Sequence, residues 1–216
     1  MSSTDRNIQG PMIVVVSAPS GAGKTSICRK LLKQHRKVKM SVSATTRPKA
    51  KGERQGRDYF FMGQEEFETK IGQDWFVEWA KVYDHYYGTP RSQVEKILAR
   101  GEVVLLDVDV QGGRAIMKAF PESVTIFILP PSLKELKRRL KTRGRDQGAE
   151  IDKRLMASLK EIKMRTKYDY TVINSDLDRA VSQVESILEA ESLRSERFEE
   201  SERGQMFRRK NELPET

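Results

Sequence analysis

The sequence predicts an α/β fold: a mainly parallel central sheet flanked by helices, interrupted by an inserted α+β subdomain. Three observations point there. Met12 to Ser17, Val103 to Val108 and Val124 to Leu129 are short apolar runs, as strands buried on both faces of a parallel sheet read. Helical patterns separate them, the alternation that parallel strands and crossover helices require. From Val38 to Thr89 that rhythm breaks into short strand patterns rich in aromatics, which marks an insertion.

The first strand runs into Ala18 to Gly23, small residues with one Pro and two Gly, then Lys24-Thr25 and a helical pattern. Strand, small-residue loop, Lys-Thr, helix is the form of a phosphate-binding loop. Backbone N–H groups must converge on one concavity that bulky side chains would close, and the helix brings its positive end to the same point. The usual pattern is G-x-x-x-x-G-K-[ST]; Ala18 stands in its first position, while Gly21, Gly23, Lys24 and Thr25 match. The loop predicts triphosphate binding by Ala18, Pro19, Ser20, Gly21, Ala22, Gly23, Lys24, Thr25 and Ser26. Lys24 reaches the outer phosphates and the Thr25 hydroxyl ligates Mg2+.

The remaining elements follow in order. Ser26 to His35 is an amphipathic helix with Ile27, Leu31 and Leu32 inward, and Cys28 inside it reads as a packed core thiol. Val38 to Ser43 alternates as a strand. Thr45 to Phe61 is largely loop, with five basic residues from Arg47 to Arg57 and room for a short strand at Tyr59 to Met62. Gln64 to Ile71 is a helix and Trp75 to Tyr83 a strand. Pro90 opens a helix that Gly101 ends. Gln111 to Ala119 is helical, and Ser132 caps a helix through Lys141. Thr142 to Glu150 reads as a mobile loop before a basic helix, Ile151 to Tyr168. Tyr170 to Ile173 is a strand, and Asp176 starts the last long helix. Beyond Glu189 the chain is nearly continuous charge, which suits a solvated helix that frays after Arg208.

Composition sets bounds on function. Lys and Arg exceed Asp and Glu by 40 to 31, giving +9, which suits a polyanion or nucleotide phosphates. One Cys excludes an internal disulfide and favours a reducing compartment, so a cytoplasmic protein is expected. Two His and one Cys cannot build a zinc cluster of the usual patterns. Met1 to Gly10 has no signal-peptide core, and no apolar stretch is long enough to cross a membrane.

Chemistry concentrates in three further places. Asp107, near the end of the strand V-V-L-L-D-V, is the expected Mg2+-linked carboxylate beside a phosphate loop, and period-two alternation puts Asp109 on its face. Arg139, Arg143 and Arg154 edge the expected mobile loop; guanidinium groups stabilise a transferring phosphoryl group without proton chemistry. The insertion supplies Ser43, Arg47, Glu53, Tyr59, Glu78, Tyr87 and Thr89. On spacing alone these suggest only a second polar, anion-tolerant pocket.

The chain resembles guanylate kinases from Met12 to about Glu189. The resemblance rests on A-P-S-G-A-G-K-T, S-V-S-A-T-T-R-P, G-E-R-Q-G-R-D-Y-F-F, Y-Y-G-T, L-D-V-D-V-Q-G, R-R-L-K-T-R-G and V-I-N-S-D-L. It implies a P-loop kinase fold that converts GMP, and dGMP, with ATP and Mg2+ to the diphosphate, in purine nucleotide metabolism and GMP recycling. It implies a disordered segment 1–10, a kinase domain 11–189 with core 11–37, 90–141 and 168–189, a GMP-binding insert 38–89 and a lid 142–167, then a charged helical extension 190–216. Ser43, Arg47, Tyr59 and Tyr87 look like GMP phosphate binders. Glu78, Thr89 and Asp109 look guanine-facing, with Glu53 near them. Asn174 lies near the adenine. Lys24, Arg47, Arg139, Arg143 and Arg154 look like the catalytic set, and Thr25 and Asp107 like the metal-linked pair. ATP and GMP are the partners implied, without nucleic acid or membrane, in a monomer or homo-oligomer. Scaffold domains of related sequence carry damaged phosphate loops, whereas Gly21, Gly23, Lys24 and Thr25 are intact. One departure stands out: where the family commonly has a second Arg three residues after Arg47, this chain has Ala50, flanked by Lys49 and Lys51.

Overall fold

Val14 and Val16 face one side of the first strand, Ile13 and Val15 the other, and all four are buried. That double burial is why the run is continuously apolar, and it sets the layers. The structure, a computed structural model, describes residues 8, 10–82, 84–142, 149–201 and 205–206. In chain order its elements are β1 (Met12–Ser17), α1 (Lys24–Gln34), β2 (Val38–Met40), β3 (Ala44–Thr45), β4 (Phe60–Phe61), α2 (Gln64–Gly72), β5 (Phe76–Val82), β6 (His85–Pro90) and α3 (Arg91–Leu98). Then come β7 (Val103–Asp107), α4 (Val110–Ala119), β8 (Val124–Leu129), α5 (Leu133–Thr142), α6 (Ala149–Lys163), a 3-10 turn (Met164–Lys167), β9 (Tyr170–Ile173), α7 (Leu177–Ser192) and α8 (Ser195–Glu200).

The central sheet has five parallel strands in the order β2-β7-β1-β8-β9. On one face Val14, Val16, Leu105 and Ile126 pack with Ile27 and Leu31 of α1 and Val184 and Leu188 of α7. On the other, Ile13, Val15, Val104 and Leu106 pack with Val94 of α3 and Ile116 of α4. Cys28 lies in the first of these layers, where burial pushes its thiol well above its usual pKa; the core reading holds. β1 lies at the middle of the sheet, so the loop leaving it opens between the chain's two halves.

A second sheet, β4-β3-β6-β5, carries the inserted residues around Ala44, Phe67 and Phe76. Phe67 stacks on Phe76 at 4.4 Å and on Tyr86 at 5.3 Å. The strand expected over Val38 to Ser43 is in fact divided. Val38 pairs with Val103 in the central sheet and is buried in its core. The second sheet begins only at Ala44, so the insert boundary expected at 38 falls inside the central sheet. Pro90, expected in the first helical turn, closes β6 and precedes α3. α6 packs on α5 through Leu136, Leu140, Ile151, Leu155 and Ile162.

Both ends are tighter than their composition suggests. Ile8 and Gly10 are buried, within the segment expected to be disordered; residues 1–7 and 9 lie outside the described residues, as do Tyr83, 143–148, 202–204 and 207–216. In the charged extension Glu191, Ser192 and Ser201 are buried. Glu191 accepts from the Tyr170 hydroxyl at 2.5 Å and pairs with Arg197, which also donates to the Glu122 carbonyl at 2.6 Å. The expected solvated helix is therefore replaced, up to Ser201, by a docked one. Buried acids with committed partners read in sequence like exposed ones.

Candidate active site

The loop after β1 needs its glycines for two reasons. Gly21 and Gly23 have φ of +90° and +95°, a left-handed conformation that side chains disfavour. A Cβ on Gly23 would also lie 2.2 Å from Asn174 Nδ2. Gly23 is the N-cap of α1, so the helix starts at Lys24, two residues before the expected Ser26. The Ala22 carbonyl accepts from Asn174 Nδ2 at 2.8 Å and from Arg139 Nη1 at 3.2 Å. Arg139 also donates to the Asn174 carbonyl at 3.1 Å and to Glu135 at 2.8 Å. Arg138 and Arg139 hold the Glu135 carboxyl down to about 2. Thus α5 and the end of β9 clamp the loop from above. Between them lies a cavity of about 400 Å3, bordered by Gly21, Gly23, Ser26, Arg138, Arg139, Thr142, Asn174, Ser175 and Leu177. Ala18 is buried in the sheet's core layer, where a methyl group is accommodated.

Lys24 turns the other way. Its Nζ lies 2.5 Å from Asp107 Oδ1 and donates to the Val108 carbonyl at 2.6 Å. Lys24, Thr25, Asp107 and Asp109 border a second cavity of about 290 Å3. Its far wall comes from the second sheet and the segments beside it: Ser43, Tyr59, Glu78, Tyr87 and Gly88. Consecutive residues of one loop therefore face two cavities, Gly23 the first and Lys24 the second.

At the floor of the second cavity Glu78 is buried. Thr89 Oγ1 donates to its Oε1 at 2.6 Å, and a Cβ on Gly112 would lie 3.0 Å from its Oε2. Desolvation pushes the Glu78 carboxyl up to about 7, against the pull of Thr89. At Gly112 a side chain would have to displace the Glu78 carboxylate, because α4 starts close against it. Tyr59 and Tyr87 meet edge-on at 6.1 Å, and burial raises the pKa of Tyr59.

Two expectations need correction. Asp109 does not share a face with Asp107 through strand alternation, because β7 ends at Asp107. Asp109 instead caps α4, accepting from Gln111 N at 3.1 Å and Gly112 N at 2.8 Å, and the turn brings it to the same cavity. Glu53 is not in that cavity's wall. It binds Arg47 Nη2 and the Ala50 N–H, both at 2.7 Å, and so organises the rim loop. Arg47 lies over the rings of Tyr59 and Phe61, at 5.4 and 5.7 Å. Arg154 is half-buried on α6. Arg143 lies outside the described residues. Sequence reasoning missed Gly112, which lines the second cavity.

Oxygen donors from Thr25, Asp107 and Asp109 suit a hard divalent cation. Among the described residues, no group of three His, Cys, Asp or Glu could hold an ion by itself. The donor set thus fits an ion whose coordination is completed by phosphate oxygens and water.

The chain matches the family model described as guanylate kinase over residues 11–191. It is 48% identical to the guanylate kinase of Caldanaerobacter subterraneus subsp. tengcongensis over 186 residues, covering 86% of this chain and 90% of that protein. It is 45% identical to the guanylate kinase of Myxococcus xanthus, covering 89% and 93% of the two chains. The crystal structure of guanylate kinase from Anaplasma phagocytophilum is similar with a TM-score of 0.76 at 31% identity, over 95% of this chain and 97% of that one.

Proposed function

This chain belongs to the guanylate kinase family, and on that premise we propose how its residues divide the transfer of phosphate from ATP to GMP. The reaction is ATP-dependent phosphorylation of GMP to GDP. The first cavity takes ATP, its adenine near Asn174 and its phosphates along Ser20 to Ser26. The second takes GMP. One observation carries this division: Gly23 borders one cavity and Lys24 the other, so the loop is their shared wall. A phosphoryl group leaving the first cavity at Lys24 enters the second without crossing open solvent.

The Glu78 carboxylate accepts from guanine N1–H and the exocyclic amine, with Thr89 fixing its angle. Adenine presents no such pair of donors there. Ser43, Tyr59, Tyr87 and Arg47 hold the GMP phosphate. Arg139 and Arg154, with Arg143, neutralise charge on the transferring group. Mg2+ bound near Thr25 and Asp107 supplies charge neutralisation between the phosphates. These residues orient and shield, and no protein nucleophile is required. Because the pocket reads the base, dGMP is accepted as well.

The test is an ADP-release assay with ATP and GMP, dGMP, AMP or UMP. Turnover should be confined to the two guanine nucleotides. Comparable turnover with AMP would overturn the role of Glu78.

A further inference from the structure

Three elements meet at the first turn of α4. Ser17, the last residue of β1, donates from Oγ to the Asp109 carbonyl at 3.3 Å, beside the Gly113 N–H at 2.8 Å. Tyr168 directly follows α6 and the 3-10 turn, and it is buried against the same turn of α4. A Cβ on Gly113 would lie 2.5 Å from Tyr168 Oη and 2.9 Å from Ser17 Oγ. A Cβ on Gly112, one residue earlier, would lie 3.0 Å from Glu78 Oε2. The turn is therefore packed on one side against the acid of the second cavity, and on another against two hydroxyls from outside it. Asp109 caps the turn through Gln111 N and Gly112 N, and Asp109 and Gly112 both border that cavity.

Tyr168 is a rigid stop. Its ring meets Phe127 of β8 edge-on at 5.0 Å. Its N–H donates to the Arg165 carbonyl at 3.1 Å, and the N–H of the next residue, Asp169, donates to Thr125 Oγ1 at 2.9 Å. Asp169 Oδ2 in turn accepts from the Thr125 N–H at 2.9 Å and from its hydroxyl at 2.7 Å. The phenol oxygen is enclosed without a hydrogen bond of normal geometry. Such burial costs stability, and phenylalanine would fill the rest of the space without that cost. What the oxygen does supply is bulk at one point, against Gly113. The backbone of Gly113 is ordinary helix, where propensity favours alanine, so the contact and not the conformation calls for glycine.

We propose that Tyr168, with Ser17, is a positioning residue for guanine recognition: the two hydroxyls set where the first turn of α4 stands, and the turn sets Asp109 and the floor beside Glu78. The foot of α6, the helix that carries Arg154, is thereby tied to the base-reading floor. This rests on the assignment of GMP to the second cavity.

The test is compensation across one contact, read as KM for GMP and for ATP in the coupled ADP assay, with a thermal melt of each variant. Tyr168→Phe withdraws the stop; it should melt no lower than the parent and raise KM for GMP about threefold. Gly113→Ala pushes the turn off the stop. Its Cβ must move from 2.5 Å to the 3.0 Å that such contacts require. Misplacement by about 1 Å can cost a hundredfold, so this smaller shift should raise KM for GMP about tenfold. When Tyr168→Phe and Gly113→Ala are combined, the new methyl group takes the place of the lost hydroxyl, with the ring's Cζ 3.5 Å away. KM for GMP should then fall below that of Gly113→Ala, to within about twofold of the parent, while KM for ATP stays within about twofold throughout. Independent effects, with the combined variant as impaired as the product of the single ones, overturn the inference. So does an unchanged KM for GMP in Tyr168→Phe, which decides the matter alone if Gly113→Ala does not fold. Equal rises in both KM values with a lowered melting temperature show a purely structural packing site, and overturn it too. Glu78→Gln, measured alongside, separates the premise. If it leaves KM for GMP unchanged, the assignment of GMP to this cavity falls and the inference with it; a Glu78 effect without a Tyr168 effect refutes the inference alone.

Discussion

The two cavities are built by opposite means. The ATP side is backbone geometry: two left-handed glycines, a helix start, and a carbonyl held by Asn174 and Arg139. The GMP side is side-chain chemistry: a buried acid, a hydroxyl and two phenols brought from β5, β6 and distant loops. Phosphate is the same in every nucleotide, so a fixed ring of N–H groups serves it. A base must be told from other bases, which needs directional groups whose charge can be lost. The ATP side should therefore fail through shape and the GMP side through charge and pH.

The largest effect belongs to the residue at the boundary between the two, Lys24. Lys24→Ala removes the one cation that reaches from the loop to Asp107 and the Val108 carbonyl. Loss of a preorganised charge of this kind costs about 10²–10³ in kcat. The fold should persist, because Lys24 lies in the wall of the second cavity and not in the apolar core; circular dichroism and a coupled ADP assay check the two statements together.

Next come paired changes that separate the halves. Gly23→Ala forces a side chain into the left-handed region and against Asn174. The backbone term alone costs about 1–2 kcal/mol, and the clash adds displacement of the loop. KM for ATP should rise at least about tenfold, while GMP affinity stays near that of the parent. Glu78→Gln should do the reverse. It exchanges an acceptor of two N–H groups for an amide that offers one acceptor and one donor, and charge-assisted bonds of this sort are worth about 1.5–3 kcal/mol each. KM for GMP should rise about a hundredfold, with ATP unaffected; losses shared equally between the substrates would refute the division of labour.

A pH titration sharpens the same contrast. Desolvation raises Glu78 from 4.5 to about 7 in the folded protein. Guanine needs the ionised form, so below about pH 7 each unit of acid should raise KM for GMP about tenfold, while KM for ATP lacks that step. The GMP phosphate itself titrates near pH 6, so Glu78→Gln gives the baseline. Stability runs in the opposite direction. The raised folded pKa means that Glu78 contributes most below its unfolded value of 4.5, and that this contribution is lost as pH rises through about 7. The loss is of the order of 3 kcal/mol at pH 8. Denaturant melts at pH 5 and 8 should then find Glu78→Gln stabilising at pH 8 only. The acid proposed to read guanine is held at the expense of the fold.

The contrast also explains what could be read in the sequence. The ATP side was legible because a backbone site is contiguous: loop, lysine and helix lie within Met12 to Ser26. β1, β7 and β8 were equally plain, being almost wholly apolar and buried on both faces. The GMP side draws on residues from Ser43 to Asp109, and spacing alone left it an unspecified polar pocket; resemblance supplied its roles. Asp109 shows the limit clearly. Alternation is a strand property, and the strand had ended at Asp107. The tail misled for a related reason, since Glu191 and Ser201 are buried by docking rather than by hydrophobicity.

The smallest effect concerns the rim, where the two building styles meet. Glu53 gathers Arg47 and the Ala50 N–H into one turn. Position 50 is exposed and adjoins the guanidinium of Arg47, whose charge Glu53 partly cancels. Ala50→Arg leaves that backbone contact intact, since the N–H is retained, and adds an uncancelled positive charge to the GMP entrance. Lys49 and Lys51 are exposed point charges without the bidentate fork of a guanidinium. The gain is that of a solvated charge near phosphate, under about 1 kcal/mol. KM for GMP should fall about threefold at low salt and less at 0.15 M, where exposed charges more than about 8 Å apart are screened. An unchanged KM at low salt would mean that Lys49 or Lys51 already supplies this field. The rim would then belong, like the ATP side, to a generic attraction for phosphate, and selectivity would rest on Glu78 and its neighbours alone.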